Sequence, residues 1–245
     1  MTATVAAEDG AILSVRDVYK VYGGVRALNG LSLEVARGEV HCVVGPNGAG
    51  KSTFFKTLIG VETPTSGKVF YRGRDVTRMP AFRRARLGLS VKFQNISAFG
   101  ELTALQNLFV PLRRNHRKAD IPDRAAAVLA RVGLAGLEHQ EVRRLSHGQQ
   151  QWLSIGLSIA AEPDLLLLDE PAAGLSAEET TKTASLIREL NRQGMTIIVI
   201  EHDMGFIRSL KARTSVLHYG RLFAQGEFDE IAANEDVRRI YLGTA

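Results

Sequence analysis

Three apolar runs in the chain lack polar alternation: EVHCVVG (39–45), LLLLDEP (165–171) and TIIVIEHD (196–203). A strand with one wet face alternates apolar and polar residues. Runs that do not alternate therefore predict strands buried on both faces, as in a parallel sheet. Helical patterns lie between them, such as EETTKTASLIRELNRQG (178–194), closed by Gly194. This order predicts a doubly wound α/β domain. In such sheets ligands sit beyond the carboxyl ends of the strands. All three runs end there in polar residues: Gly45–Ser52, Asp169 with Glu170, and His202. One ligand can meet all three.

Two helix starts are written in the polar positions. Ser146 and Gln149 in LSHGQQQW (145–152), and Thr103 and Gln106 in LTALQNLFVPL (102–112), fit S/T-x-x-E/Q. In that pattern each side chain satisfies the other residue's backbone N–H. Pro111 is expected to end the second helix, because it lacks an N–H. A helix start shows unpaired N–H groups to whatever faces it, so the tip at Ser146, with His147 and Gly148, calls for a facing partner.

At 245 residues the chain suits one large α/β domain or two small ones. With 45% apolar residues a sizeable core can form and disorder is disfavoured. The net charge of +5 suits a nucleotide, a nucleic acid or an acidic membrane surface about equally. The basic runs FRRAR (82–86) and RRNHRK (113–118) come with no nucleic-acid-binding motif. They read as solvated, membrane-facing or inter-subunit surface, and no nucleic-acid partner is expected. Cys42 is the only cysteine, so no internal disulfide can form, which fits a reducing compartment. MTATVAAEDG is too polar and acidic for a signal peptide. No apolar run approaches the length of a membrane span, so the chain is expected to be soluble or held at a membrane by something else.

The phosphate chemistry is the most specific. GPNGAGKST (45–53) matches G-x-x-x-x-G-K-[ST] between a strand and a helix. Gly45, Gly48 and Gly50, with Asn47 and Ala49 between them, let backbone amides wrap phosphate oxygens. Lys51 can reach the β and γ phosphates, Ser52 can ligate magnesium, and Thr53 closes the nucleotide-binding run. Asp169, at the end of an apolar strand, can hold magnesium through water. Glu170 faces differently and can orient or deprotonate an attacking water. Alone, that pair would read as a charged turn before Pro171, and a lone His202 as structural. On a sheet edge shared with the phosphate loop, both read as site residues, with His202 at the γ-phosphate.

The phosphate loop, LSHGQ, LLLLDEP and EHD, in this order and spacing from about Tyr22 to His202, resemble the ATPase subunit of ATP-binding-cassette (ABC) transporters. The resemblance implies one cassette over residues 1–245, with a RecA-like parallel-sheet core and an antiparallel β subdomain. It also implies a helical subdomain inserted at roughly 94–160, whose groove receives helices of membrane subunits. The implied ligands are ATP and Mg2+.

In that family two cassettes pair head to tail, and the signature helix of one caps the nucleotide of the other. Ser146, Gly148 and Gln149 would then face a second cassette, the same chain or a paralogue. The resemblance assigns Tyr22 to stacking on adenine and Gln94 to magnesium, water and the membrane partner. It makes Glu170, His202, Gln94 and Lys51 catalytic, and Ser52, Gln94 and Asp169 metal-binding. Two positions depart from the pattern. His147 stands where glycine is common, and reads as rim or solvent packing or as interface. Ser176, in AAGLS, stands where Asp is common, which leaves that loop's cross-dimer contact open.

SVKFQNISAFGELTALQNL, LSHGQQQWLSIG, EHDMGFIRSL and VRRIYLG are similar to the ATPases of branched-chain amino acid and urea importers, with His147 and Trp152 leaning to the urea type. The expected partners are permease subunits and, indirectly, a solute-binding protein. The expected location is cytoplasmic, on the inner face of the membrane. A soluble ABC ATPase of cluster assembly, repair or translation is the alternative. A binding module without turnover ranks below both, because Glu170 is present.

Overall fold

The computed structural model describes residues 10–94 and 98–242. The quoted MTATVAAED, residues 95–97 of the stretch after Phe93, and Gly243 of VRRIYLG lie outside them. In chain order the elements begin β1 (Ala11–Tyr22), β2 (Val25–Ala36), β3 (Val40–Val44), α1 (Lys51–Ile59), β4 (Ser66–Tyr71), β5 (Arg74–Asp75), α2 (Ala81–Arg86) and β6 (Leu89–Lys92). Then come α3 (Ala104–Arg113), α4 (Ile121–Arg131), α5 (His147–Ile159), β7 (Leu165–Asp169) and α6 (Ala177–Arg192). The chain closes with β8 (Thr196–Ile200), α7 (Met204–Leu210), β9 (Arg213–His218), β10 (Arg221–Gly226), α8 (Phe228–Ala233) and α9 (Glu235–Leu242).

The strands form two sheets. One runs β10-β9-β3-β8-β7-β6, parallel except for the β10–β9 pair; the other runs β2-β1-β4-β5 and is antiparallel. The three apolar runs are β3, β7 and β8, mutual neighbours at the centre of the first sheet. Their residues divide by parity. Cys42, Val44, Leu166, Leu168, Ile197 and Val199 enter a core shared with the helices α3 to α7. Val43, Leu165, Leu167, Ile198 and Ile200 enter a second core with α1 and the antiparallel sheet. Two-sided burial is thus the reason these runs do not alternate. One face departs from the doubly wound pattern that the runs alone suggest, since a sheet covers much of it. Truncating a strand leucine such as Leu166 to Ala would cost about 2–5 kcal/mol.

The capping boxes at Thr103 and Ser146 both form. Pro111 does not end its helix, which continues to Arg113. The proline sits in the last turn, so only one intrahelical bond is lost there. The FRRAR run also differs from a wholly solvated surface. Arg83 and Arg86 lie against the exposed Phe82 ring, but Arg84 is 1% exposed. Its guanidinium donates to the carbonyls of Thr57 and Leu58 (2.7 Å each), Met79 (2.9 Å) and Thr77 (3.1 Å). It thereby satisfies orphan carbonyls at the end of α1 and opposes the negative pole of the helix dipole. Burial lowers its pKa to about 10, which leaves it charged at neutral pH.

Candidate functional site

The phosphate loop is held open by its backbone. At Gly50, the N-cap of α1, φ is +101°, and a Cβ there would lie 2.5 Å from the Ala27 carbonyl oxygen. A Cβ on Gly45 would lie 2.3 Å from the Leu217 carbonyl oxygen. Only glycine fits either place. The loop is braced by Gly220 N–H donating to the Ala49 carbonyl (2.9 Å) and Ala49 N–H to the Pro46 carbonyl (3.1 Å). No side chain caps α1, so its N-terminal amides and positive dipole end are available to an anion. The Lys51 ammonium donates to the carbonyls of Gly45 (2.6 Å) and Pro46 (3.0 Å). Burial pulls its pKa down, against the opposing charges of Glu170 and Asp169.

A cleft of about 430 Å³ stands over this loop. Asn47 to Thr53, Gln94, Asp169 and Glu170 line it, so most of the residues singled out from the sequence meet there. Asp169 ends β7, and burial, followed by the charge of Glu170, raises its pKa. Glu170 has φ +45°, a left-handed conformation that is uncommon without glycine. Its own N–H donates to the Ile200 carbonyl (2.9 Å). Gln94 Nε2 donates to Glu170 Oε2 at 2.8 Å, and His202 Nδ1 lies 3.4 Å from Glu170 Oε1. Two residues that follow β6 and β8 therefore converge on the carboxylate that follows β7. Tyr22 sits apart from this lining, exposed, with the Lys20 ammonium 4.8 Å from its ring. Ser146, Gly148 and Gln149 are also absent from it.

Three residues that the sequence reading did not single out support the cluster. Glu201 is 1% exposed, and its carboxylate accepts from the N–H groups of Ala172 and His202 (3.0 Å each). Burial raises its pKa, against those backbone donors. It fixes both the loop after Glu170 and the backbone of His202. Lys92 is also 1% exposed, with Nζ 3.3 Å and 3.4 Å from the carbonyls of Asp169 and Glu170. Burial lowers its pKa to about 8 despite Asp169, Glu201 and Glu170. Each of these is a charged residue closing an apolar strand, a signal present in LSVK and TIIVIE. Tyr219 lines the cleft with φ +46°, its ring tilted at 46° to that of His218 with 4.2 Å between centroids.

The LSHGQ segment lies on α5. Ser146 N–H donates to Gln149 Oε1 (2.9 Å), and Gln149 N–H donates to Ser146 Oγ (3.2 Å). His147 is exposed at N1, and its Nε2 lies 3.2 Å from the Ala173 carbonyl oxygen. Gly148 is buried: a Cβ there would fall 2.2 Å from Glu179 Oε1. Within the chain, then, this glycine makes room for a carboxylate of α6. Ser176 caps α6 in a third box with Glu179 (2.9 and 3.3 Å).

Among the described residues no group of three His, Cys, Asp or Glu side chains gathers as a metal cage. Ser52, Gln94 and Asp169 instead share the cleft wall. Such a sparse set of hard oxygen donors fits a magnesium ion that keeps waters and phosphate oxygens as its other ligands.

The family profile described as ABC transporter matches residues 28–173. The high-affinity branched-chain amino acid transport ATP-binding protein LivG of Salmonella typhimurium is 36% identical over 96% of this chain and 98% of its own length. A nucleotide-free ATP-binding cassette from an ABC transporter superposes with a TM-score of 0.87 at 25% identity, covering 96% of this chain and all of that one. A dimeric ATP-binding cassette in a post-hydrolysis state, bound to ADP and Pi, gives a TM-score of 0.80 at 26% identity over 88% and 98%.

Proposed function

The chain belongs to the ABC transporter family as an ATP-hydrolysing, ATP-binding subunit, and we propose that it works in head-to-tail pairs to energise an importer of branched-chain amino acids or urea. The observation that carries the enzymatic part is the convergence of Gln94, Glu170 and His202 beside an uncapped phosphate loop.

ATP phosphates lie on the α1 amides, with Lys51 turning from its loop carbonyls to the β and γ oxygens. When bound through Ser52, Asp169 and Gln94, magnesium supplies positive charge against the phosphate oxygens. Glu170 holds the attacking water and takes its proton. Gln94 keeps that carboxylate in place, and His202 meets the γ-phosphate from the next strand. Tyr22 offers an exposed ring to adenine at the rim. Ser146, through its hydroxyl, and the first amides of α5 complete the γ-phosphate site of a second cassette.

Permease subunits dock on the helical part, about residues 94–160, where Phe109 and Val110 of α3 are exposed and Leu105 is partly buried in the core. The chain then sits on the cytoplasmic face of the membrane, and a solute-binding protein selects the solute. Among the described residues no helix is long and apolar enough to cross a membrane, which supports a division of labour with separate permeases. LivG supports the amino-acid reading; His147 with Trp152 supports urea. Its likeness over nearly the whole length to a transport subunit favours an importer over a soluble repair or translation ATPase.

Uptake of labelled leucine and labelled urea, measured in cells with and without the gene, tests the solute. Loss of one names it, and retention of both removes the proposal. Val110→Asp and Phe109→Asp should impair co-purification with the permeases and uptake, because an unpaired charge is costly to bury. ATP binding by the isolated chain should survive both changes. Normal complexes from both variants would place the docking surface elsewhere.

A further inference from the structure

We infer that His147 is a positioning residue that ties the tip of the signature helix to the loop behind Glu170, so that a chain's own catalytic carboxylate and the surface it presents to a second cassette move together. The inference rests on the head-to-tail reading above.

At N1 a side chain is not needed to form or cap the helix, because the Ser146–Gln149 box already does so. The imidazole is nevertheless spent on one contact: its Nε2–H donates to the Ala173 carbonyl at 3.2 Å. A carbonyl only accepts, so the Nε2 position carries the proton. The loop is shaped to the ring. Gly174 has φ +73°, and a Cβ there would approach His147 Nε2 to 3.0 Å. The contact is returned from the other side, where the Glu179 carboxylate of α6 fills the space that a side chain on Gly148 would take. His147 thus reaches the loop before α6, and Glu179 of α6 packs against the backbone of α5.

Ala173 is the link. Its N–H donates to the Glu170 carbonyl (3.3 Å) while its carbonyl accepts from His147. Ala172, next to it, donates to Glu201, and Leu175 N–H donates back to the Ala172 carbonyl (3.2 Å). A continuous run of hydrogen bonds therefore leads from the residue that orients water in one nucleotide site to the helix tip that closes the other. With glycine at 147 the run would stop at Ala173. In this chain a shift of Glu170 on hydrolysis pulls on its own signature tip, which loosens the grip on the neighbouring nucleotide.

His147→Ala removes the bond, and His147→Gln restores a donor near the same place. In the monomer without nucleotide, amide hydrogen exchange at Ala173 to Leu175 should speed up about three- to tenfold in His147→Ala, the worth of one hydrogen bond, and recover in His147→Gln. The isolated chain's affinity for ATP should stay within about twofold, since the cleft is untouched, while kcat falls about three- to tenfold in Ala and recovers in Gln. In a Glu170→Gln background, ATP-held dimers should dissociate faster with His147→Ala than without it. Unchanged exchange in His147→Ala, or a Gln variant no better than Ala in kcat, would overturn the inference. Should Glu170→Gln alone form no ATP-dependent dimer, the head-to-tail reading fails, and the exchange experiment still decides whether His147 holds the loop.

Discussion

Two helices in this protein begin at functional segments, and their first turns are built in opposite ways. The phosphate-loop helix α1 starts at a left-handed glycine with no side-chain cap. The signature helix α5 starts at Ser146 with a full capping box. The first leaves its amides bare beneath a cleft that also holds Gln94, Asp169 and Glu170. The second pairs the N–H groups of Ser146 and Gln149 within its own box, and Ser146 and His147 stand exposed. An uncapped start leaves its donors to water or to an anion. A capped start satisfies part of its own donors without a ligand. On the head-to-tail reading proposed above, one end is a receptor and the other a closing piece.

The largest effect should come at the receptor's carboxylate. Glu170→Gln should lower turnover by roughly 10²–10⁴ while ATP still binds, because water loses its base; a phosphate-release assay with a nucleotide titration separates the two. Next is the bare helix start itself. Lys51→Ala should weaken ATP binding by about ten- to a hundredfold, the range for charge-assisted hydrogen bonds. Near-normal affinity would mean that the loop does not hold the phosphates.

The capped end should respond in the reverse manner. Ser146→Ala should leave ATP affinity of the isolated chain unchanged, reduce turnover, and cost about 1 kcal/mol of stability in denaturant unfolding. If ATP affinity fell instead, the contrast between the two ends would collapse.

The smallest effect concerns the lysine under the receptor. Lys92 binds its proton less tightly when folded, with a pKa near 8. Between pH 8 and the ordinary lysine value the unfolded chain holds more protons, so this residue makes stability rise with pH across that window. Unfolding midpoints at pH 7 and pH 9.5 should show that rise, on the order of 1 kcal/mol, in the native chain. Lys92→Met should abolish it.

Much of the receptor was legible in the sequence because its parts are local. Nine consecutive residues carry the phosphate loop, and two-sided burial shows in β3, β7 and β8 as unbroken apolar runs. The boxes at Thr103 and Ser146 are likewise four-residue signals. A third, Ser176 to Glu179, is equally readable as a four-residue signal. What stayed hidden depends on distant pieces. The antiparallel sheet pairs strands with several register shifts, so its periodicity is blurred, and only the family resemblance announced it. Glu201 and Lys92 look like ordinary strand ends until the fold buries them below one loop. The packing of Gly148 against Glu179 is invisible until α6 is placed beside α5. Pro111 reads as a stop, although a proline in a last turn removes only one bond.

The sheet order also governs how the chain is made. β3 carries the phosphate loop and lies between β8 and β9, its register joining Val40 to Ile197 and His41 to Arg213. During synthesis at about 5–20 residues per second, the strand emerges roughly ten to thirty seconds before either neighbour. Through that interval an apolar strand with both edges unpaired must be kept from other chains. Nascent chains stalled before Thr196 should therefore bind holding chaperones strongly, and chains that extend past His218 should release them.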